Sequence, residues 1–159
     1  MKPDLRLARL VLTCLAAGAL LALAPGRAAA APATSTRPAG RDLGLRAVEI
    51  ARGLVGVPYR WGGTSPRSGF DCSGLVRFVY GRVGISLPHS SYADFGLGSS
   101  VAPGRLRPGD LVFFDGLGHV GIYAGDGMFI HAPHSGTRVS YATLAAYGST
   151  YDGARRLLR

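Results

Sequence analysis

The stretch Leu111-Val112-Phe113-Phe114-Asp115-Gly116-Leu117-Gly118-His119-Val120-Gly121-Ile122-Tyr123-Ala124-Gly125-Asp126-Gly127-Met128-Phe129-Ile130-His131-Ala132 decides the fold. It holds three short apolar runs, residues 111–114, 119–123 and 128–132, separated by turns of Gly and Asp. Runs of this length between turn residues read as strands of an antiparallel meander. In the second run His119, Gly121 and Tyr123 share one face, opposite Val120 and Ile122; in the third, His131 has the parity of Phe129 and alternates with Ile130. A hairpin turning at Gly125-Asp126-Gly127 can therefore bring His119 and His131 near each other. Residues 138–140 and 151–158 read as two further strands, which makes a sheet of about five strands.

Upstream of Pro108-Gly109-Asp110 the signals are helical. Asp42 can cap a helix running to about Leu54, with Leu45, Val48, Ile50, Ala51 and Leu54 at helical spacing and Gly56 as its stop. Pro58 to Gly69 is punctuated by Pro and Gly and reads as loop. From Cys72 to Val83 the residues Leu75, Val76, Phe78, Val79 and Val83 again fit a helix, closed by Gly84, and residues 91–95 can add one more turn. The expected class is α+β: helices carrying Cys72, then an antiparallel sheet carrying two of the four histidines.

The first thirty residues read differently. Lys2, Arg6 and Arg9 make a basic start, residues 10–24 are apolar apart from Thr13, and Ala28-Ala29-Ala30 offers small residues before a cut at Ala31. The run of about fifteen residues falls short of the roughly twenty that span a bilayer. Residues 1–30 are expected to be a secretory signal peptide, 31–41 a disordered lead-in of Ala, Pro, Ser, Thr and Gly, and 42–159 one domain. The mature chain is expected to be secreted, outside the cytoplasmic membrane, with no stable membrane insertion.

Cys14 lies inside the apolar run and leaves with it, while a lipoprotein signal would place its cysteine at the end of the run. Cys72, in Gly69-Phe70-Asp71-Cys72-Ser73-Gly74-Leu75-Val76, is then the single cysteine of the mature chain and has no internal disulfide partner. An unpaired cysteine in an oxidising compartment points to intermolecular pairing or a reactive thiol, against the plainer reading of a small buried hydrophobe. At the start of a helix the thiol would meet free backbone N–H groups that favour thiolate. A thiolate nucleophile needs a base, which His119 or His131 could supply while the other orients its ring.

Composition adds an exclusion. Removing residues 1–30 lowers the formal charge from +9 to +6, and every remaining basic residue is arginine. The arginines are scattered, with only Arg155-Arg156 adjacent, and no stacking-aromatic pattern accompanies them, so nucleic acid is not expected as a partner. Anionic wall polymers remain possible partners on the sign of the charge alone. No cluster has metal-ligand spacing, and neither metal nor other cofactor is expected.

Five motifs in order, Pro58-Tyr59-Arg60-Trp61-Gly62-Gly63, Asp71-Cys72-Ser73-Gly74, the 106–114 stretch from Leu106 through Pro108-Gly109-Asp110 to Phe114, His119-Val120-Gly121-Ile122-Tyr123 and His131-Ala132-Pro133, resemble the NlpC family of papain-like cysteine peptidases of bacterial cell walls. The resemblance covers nearly the whole 42–159 segment. It implies a papain-like NlpC-type fold with Cys72 as nucleophile, His119 as general base and His131 as the polar third member that orients His119. Tyr59 resembles the tyrosine that faces the nucleophile and helps polarise the scissile carbonyl, and Asp71 and Ser73 resemble residues that fix polar groups of the substrate. The implied substrate is the peptide stem of peptidoglycan, cut between D-glutamate, linked through its γ-carboxyl, and meso-diaminopimelate or lysine. A monomer is expected. The same triad could serve a wall amidase or transpeptidase, and a non-catalytic wall-binding module is the reading from another class.

Two positions depart from the family pattern: Gly118 stands before His119 where Ser or Thr is frequent, and Asp94 stands where Gln is common. By residue type alone Trp61 and Tyr59 would be packing residues, Asp110 would close a turn, and His89 and His134 would be loop residues without assigned chemistry.

Overall fold

The computed structural model describes residues 40–158; the signal peptide and most of the lead-in expected from the sequence lie outside them. Helix α1, Gly40–Arg52, starts two residues before Asp42, which lies in its first turn instead of capping it. Its buried stripe is Gly40, Gly44, Ala47, Val48 and Ala51, whereas Leu45, expected in the apolar face, is exposed. The stripe is small-sided because α1 lies against the Pro108-Gly109 turn, where a side chain on Gly44 would run into the Pro108 carbonyl.

Residues 58–69, expected as loop, carry two strands of two residues each, β1 Thr64–Ser65 and β2 Gly69–Phe70, paired antiparallel. Helix α2, Cys72–Arg82, follows at once, and α3 is the single turn Ser91–Phe95, capped by the Ser90 side chain on Ala93 N–H. The main sheet has six strands, against about five expected: β3 Ser99–Ser100, β4 Leu111–Phe114, β5 His119–Gly125, β6 Met128–His131, β7 Ser140–Thr143 and β8 Tyr151–Arg156. The order is β3-β8-β4-β5-β6-β7 and every pairing is antiparallel. The added strand, β3, is two exposed serines on the edge, too short and too polar to leave an alternation in the sequence. The strand expected at 138–140 begins at Ser140, because Arg138 and Val139 are drawn to the 56–58 loop: Val139 N–H donates to the Val57 carbonyl at 2.8 Å.

The sheet buries both faces. Leu111, Phe113, Val120, Ile122, Ile130 and Ala132 pack with Leu75, Val76, Val79 and Tyr80 of α2 and with the α1 stripe. On the other face Val112, Phe114, Phe129 and Ala154 form a second cluster, covered by Leu144 and Tyr147 of a 3₁₀ segment, Leu144–Thr150. Apolar burial on two sides gives runs without alternation, which is how 111–114 reads in sequence. His119 pairs with Phe114 across β4 and β5, so both histidines belong to the face turned away from the helices. No helix among the described residues is long and apolar enough to cross a membrane.

Candidate active site

The tip of α2 carries Cys72 in its first turn, directly after the N-cap Asp71. Asp71 holds this corner together. Its Oδ1 accepts from Gly74 N–H at 2.7 Å, its Oδ2 accepts from Gly62 N–H at 2.8 Å, and His89 Nε2 lies 2.8 Å from Oδ1 and 3.0 Å from Oδ2. Ser73 Oγ donates to Asp71 Oδ1 at 3.4 Å. The Asp71 carboxylate is thus engaged by protein groups: it caps the helix, ties down the Trp61-Gly62 loop and orients His89. Gly74 is dictated by the same corner, since a Cβ there would collide with the Gly63 carbonyl.

The strands bring the other half of the site. Cys72 Sγ lies 4.0 Å from the carbonyl oxygen of Gly118, the residue that enters β5, so the thiol sits where the sheet passes the end of the helix. His119 and His131 are both buried, and His119 Nε2 lies 2.8 Å from His131 Nδ1. That contact occupies Nε2 and leaves Nδ1 as the ring nitrogen of His119 free to exchange a proton elsewhere. Tyr59 is half-buried; its N–H donates to the Thr137 carbonyl at 2.9 Å, and it forms a bridge with Phe70, two residues before Cys72.

Burial dominates the electrostatics. It pushes the Cys72 thiol up; N–H groups of Val120, Ser73 and Cys72 work against it and the Asp71 charge works with it. The helix tip therefore stabilises thiolate, as expected from the sequence, but less than burial penalises it. Burial also lowers the imidazole of His119, with Asp115 partly opposing, and lowers that of His131 to about 3, helped by His119 and His134. Both directions favour a neutral thiol and a neutral imidazole in the free protein. Burial, then Cys72, then Asp71 push the Tyr59 phenol up, which keeps its hydroxyl a proton-bearing donor.

A cleft of about 350 Å³ opens over Cys72, with Trp61 and Gly62 on one side, His89 to Tyr92 on the other, and Asp71, Ser73 and Gly118 in its wall. Trp61 is 84% exposed, so the packing role expected from its residue type does not hold: the Gly62-Gly63 turn carries the indole out over the cleft instead of into the core. His89, to which the sequence assigned no chemistry, lines the cleft through its contact with Asp71. Nothing around it in Leu87-Pro88-His89-Ser90 marks that role, because the partner lies eighteen residues away. His134 stays exposed, its Nδ1 against the Ser135 carbonyl at 3.0 Å. Asp110 closes the Arg107 turn, accepting from Arg107 N–H at 2.7 Å, and also pairs with Arg156 at 2.6 Å. Among the described residues no three His, Cys, Asp or Glu side chains are grouped to hold a metal ion.

The chain is similar in sequence and in structure to known proteins. Residues 56–156 match the NlpC/P60 family. The γ-DL-glutamyl hydrolase of Bacillus subtilis is 42% identical over 137 residues, covering 82% of this chain and 31% of that protein. The murein DD-endopeptidase MepH of Escherichia coli is 41% identical over 114 residues, 65% of this chain and 42% of that one. An NlpC/P60 family protein of Bacillus cereus has a crystal structure that superposes with a TM-score of 0.69 at 35% identity, over 77% of this chain and 44% of that one. The chain spans about a third of the length of the first of these relatives and under half of the second. The match over most of the domain, the α+β fold and the shared architecture together place this chain in the NlpC/P60 family.

Proposed function

We propose that this chain is an exported cysteine endopeptidase of peptidoglycan that cuts the stem peptide at the γ-D-glutamyl bond to diaminopimelate or lysine. The observation that carries the reading is the placement of Cys72 at the tip of α2, beside the entry to β5, with His119 already bonded to His131. The names of relatives support the class and differ on the bond, one naming a γ-DL-glutamyl linkage and another a DD linkage.

The resting pair is thiol and imidazole, so the nucleophile forms as it attacks. Cys72 sulfur adds to the γ-carbonyl carbon of D-glutamate while its proton passes to His119 Nδ1. Nε2–H of the resulting imidazolium donates to Nδ1 of a neutral His131, which is what a His131 held far below its ordinary range supplies. The carbonyl oxygen gains charge, and in this reading the backbone N–H of Cys72 and the hydroxyl of Tyr59 serve as its donors. The C–N bond breaks as His119 returns its proton to the leaving amine. Water, deprotonated by His119, then attacks the γ-glutamyl thioester and releases the acid and the thiol.

Anionic wall polymers would be drawn to the net positive charge in a salt-dependent way. The test is incubation of the 31–159 protein, beside a Cys72→Ala variant, with purified peptidoglycan and with a stem tetrapeptide, products being read by mass spectrometry. Cleavage between D-glutamate and the third residue that disappears in the variant supports the reading. Products joined to an added amine would move it to a transpeptidase. Absence of any product on walls of several chemotypes would leave a binding module.

A further inference from the structure

The rings around the two histidines come from three different elements. Phe129 stands 4.8 Å from His131 and Phe114 stands 6.2 Å from His119, measured between ring centroids. Both belong to strands that would be there in any case. Tyr147 does not: it comes from the Leu144–Thr150 segment, which crosses this face of the sheet outside the strands. Its ring lies nearly parallel to His119, 6.2 Å away at 20°, and edge-on to His131, 5.5 Å away at 89°. It also closes on Phe114 at 5.1 Å and Phe129 at 5.3 Å.

The segment is tied at both ends and presents little else. Leu144 N–H donates to the Gly127 carbonyl at 2.8 Å, and the Thr150 carbonyl accepts from Asp115 N–H at 2.9 Å. The Thr143 hydroxyl caps it on Ala146 N–H at 3.2 Å. Between those ties Ala145, Ala146, Gly148, Ser149 and Thr150 are exposed, and only Leu144 and Tyr147 turn inward. Tyr147 is absent from the walls of the cleft over Cys72.

We infer that Tyr147 is a positioning residue: its ring shuts water away from the His119–His131 hydrogen bond and so preserves His131 as an uncharged acceptor for the imidazolium of His119. The inference rests on the roles proposed above for these two histidines. Water reaching His131 would compete for Nδ1 and would solvate a protonated ring, and a protonated Nδ1 cannot accept. The charged or titratable groups on this face are Asp115 from the β4–β5 turn, His134 beyond β6, Tyr123 of β5, Tyr151 of β8 and Tyr147 itself, with the Cys72 thiol at the entry to β5. Asp115 is the acid among them, and it acts to raise His119. Burial lowers both imidazoles, consistent with a sealed pair.

The experiment compares the wild-type protein with Tyr147→Phe, Tyr147→Leu and Tyr147→Ala. Histidine ring signals are titrated by NMR, and kcat and KM are followed against pH on a γ-D-glutamyl stem tripeptide. Tyr147→Phe keeps the ring and should titrate as wild type. In Tyr147→Ala the His131 midpoint should rise from about 3 to near pH 6, towards the ordinary histidine value. A midpoint near pH 6 would leave about one molecule in ten with an accepting His131 at pH 5, so kcat at pH 5 relative to pH 8 should fall about tenfold against wild type. KM should stay within about twofold, because the ring is outside the cleft. If the alanine variant does not fold, Tyr147→Leu, which keeps apolar bulk without a flat ring, is read by the same criteria. A folded alanine or leucine variant whose His131 midpoint stays at the wild-type value overturns the inference, whatever its melting temperature. Histidine midpoints that move as expected in a protein that cleaves no wall substrate would sustain the inference and overturn the endopeptidase reading.

Discussion

Replacing Asp94 by Asn should alter how stability depends on pH. Asp94 lies in α3 with no exposed surface, and neither carboxylate oxygen has a hydrogen-bond partner. Burial holds its pKa up at about 7, with the nearby His89 pulling the other way. An acid raised in the folded state is penalised when ionised. The penalty is absent below the ordinary value of 3.8, grows as the pH climbs towards 7, and is complete above it. At 1.36 kcal/mol per unit the full cost is about 4 kcal/mol, of which about 2.5 kcal/mol is added between pH 5 and pH 8. The amide has nearly the same shape and cannot ionise. Urea unfolding at pH 5 and pH 8 should therefore show the Asp94→Asn variant gaining about 2–3 kcal/mol on wild type between the two conditions. Its stability at pH 5 alone decides nothing, since both side chains leave polar atoms unpaired there. Parallel pH dependence of the two proteins, within about 0.5 kcal/mol, would refute the reasoning and mean that Asp94 is hydrated or ionised at no cost.

Three further outcomes follow from the site. Asp71→Asn keeps a side chain able to cap α2 but removes a charge that raises the Cys72 thiol, so the thiol should titrate at lower pH in an ultraviolet thiolate assay; an upward or absent shift would contradict the assigned sign. Gly74→Ala pushes a methyl into the Gly63 carbonyl and should destabilise the fold by about 1–3 kcal/mol in denaturant titration, with kcat falling because the strained helix tip carries Cys72; unchanged kcat and stability would show that the corner yields freely. Tyr59→Phe should lower kcat about 10²-fold, as for one lost donor to the developing oxyanion, with KM little changed; a purely KM effect would make Tyr59 a substrate contact instead.

The fold was legible where hydrophobic runs and turn residues coincide. The three runs at 111–114, 119–123 and 128–132 became β4, β5 and β6, and the parity of His119 with His131 placed both on one face because a strand repeats every two residues. The α2 start at Cys72 was legible from the helical apolar spacing that follows it, whereas its N-cap, Asp71, emerged only in the structure. What stayed hidden depends on contacts distant in sequence. β3 is two serines recruited by Ser99 and Ser100 pairing with Arg156 and Arg155 of β8, and the 144–150 segment has no periodicity to announce it. Leu45 was misplaced because α1 buries a stripe of small residues against a turn, and hydrophobicity does not reveal close approach. In the candidate site, the nucleophile and histidines could be chosen by residue type and element, whereas His89 and Tyr147 enter through Asp71 and the imidazoles, which no local pattern connects to them. The burial that outweighs the helix tip at Cys72 was equally invisible, since it depends on packing between parts of the chain as distant as Cys72 and Gly118.

His119 stands opposite Phe114 in the β4–β5 register, on the face away from the helices, while Val120 points into the core shared with α2. A slip of one residue in that pairing would preserve strand length and backbone bonding, yet it would put Val120 in place of the histidine and break the hydrogen bond from His119 to His131. Such a molecule would pass as folded by its far-ultraviolet spectrum while lacking a base for its thiol. Titrating competent thiols in a preparation would therefore count the molecules whose sheet had closed in the native alignment, a measure of folding fidelity that overall secondary-structure content does not supply.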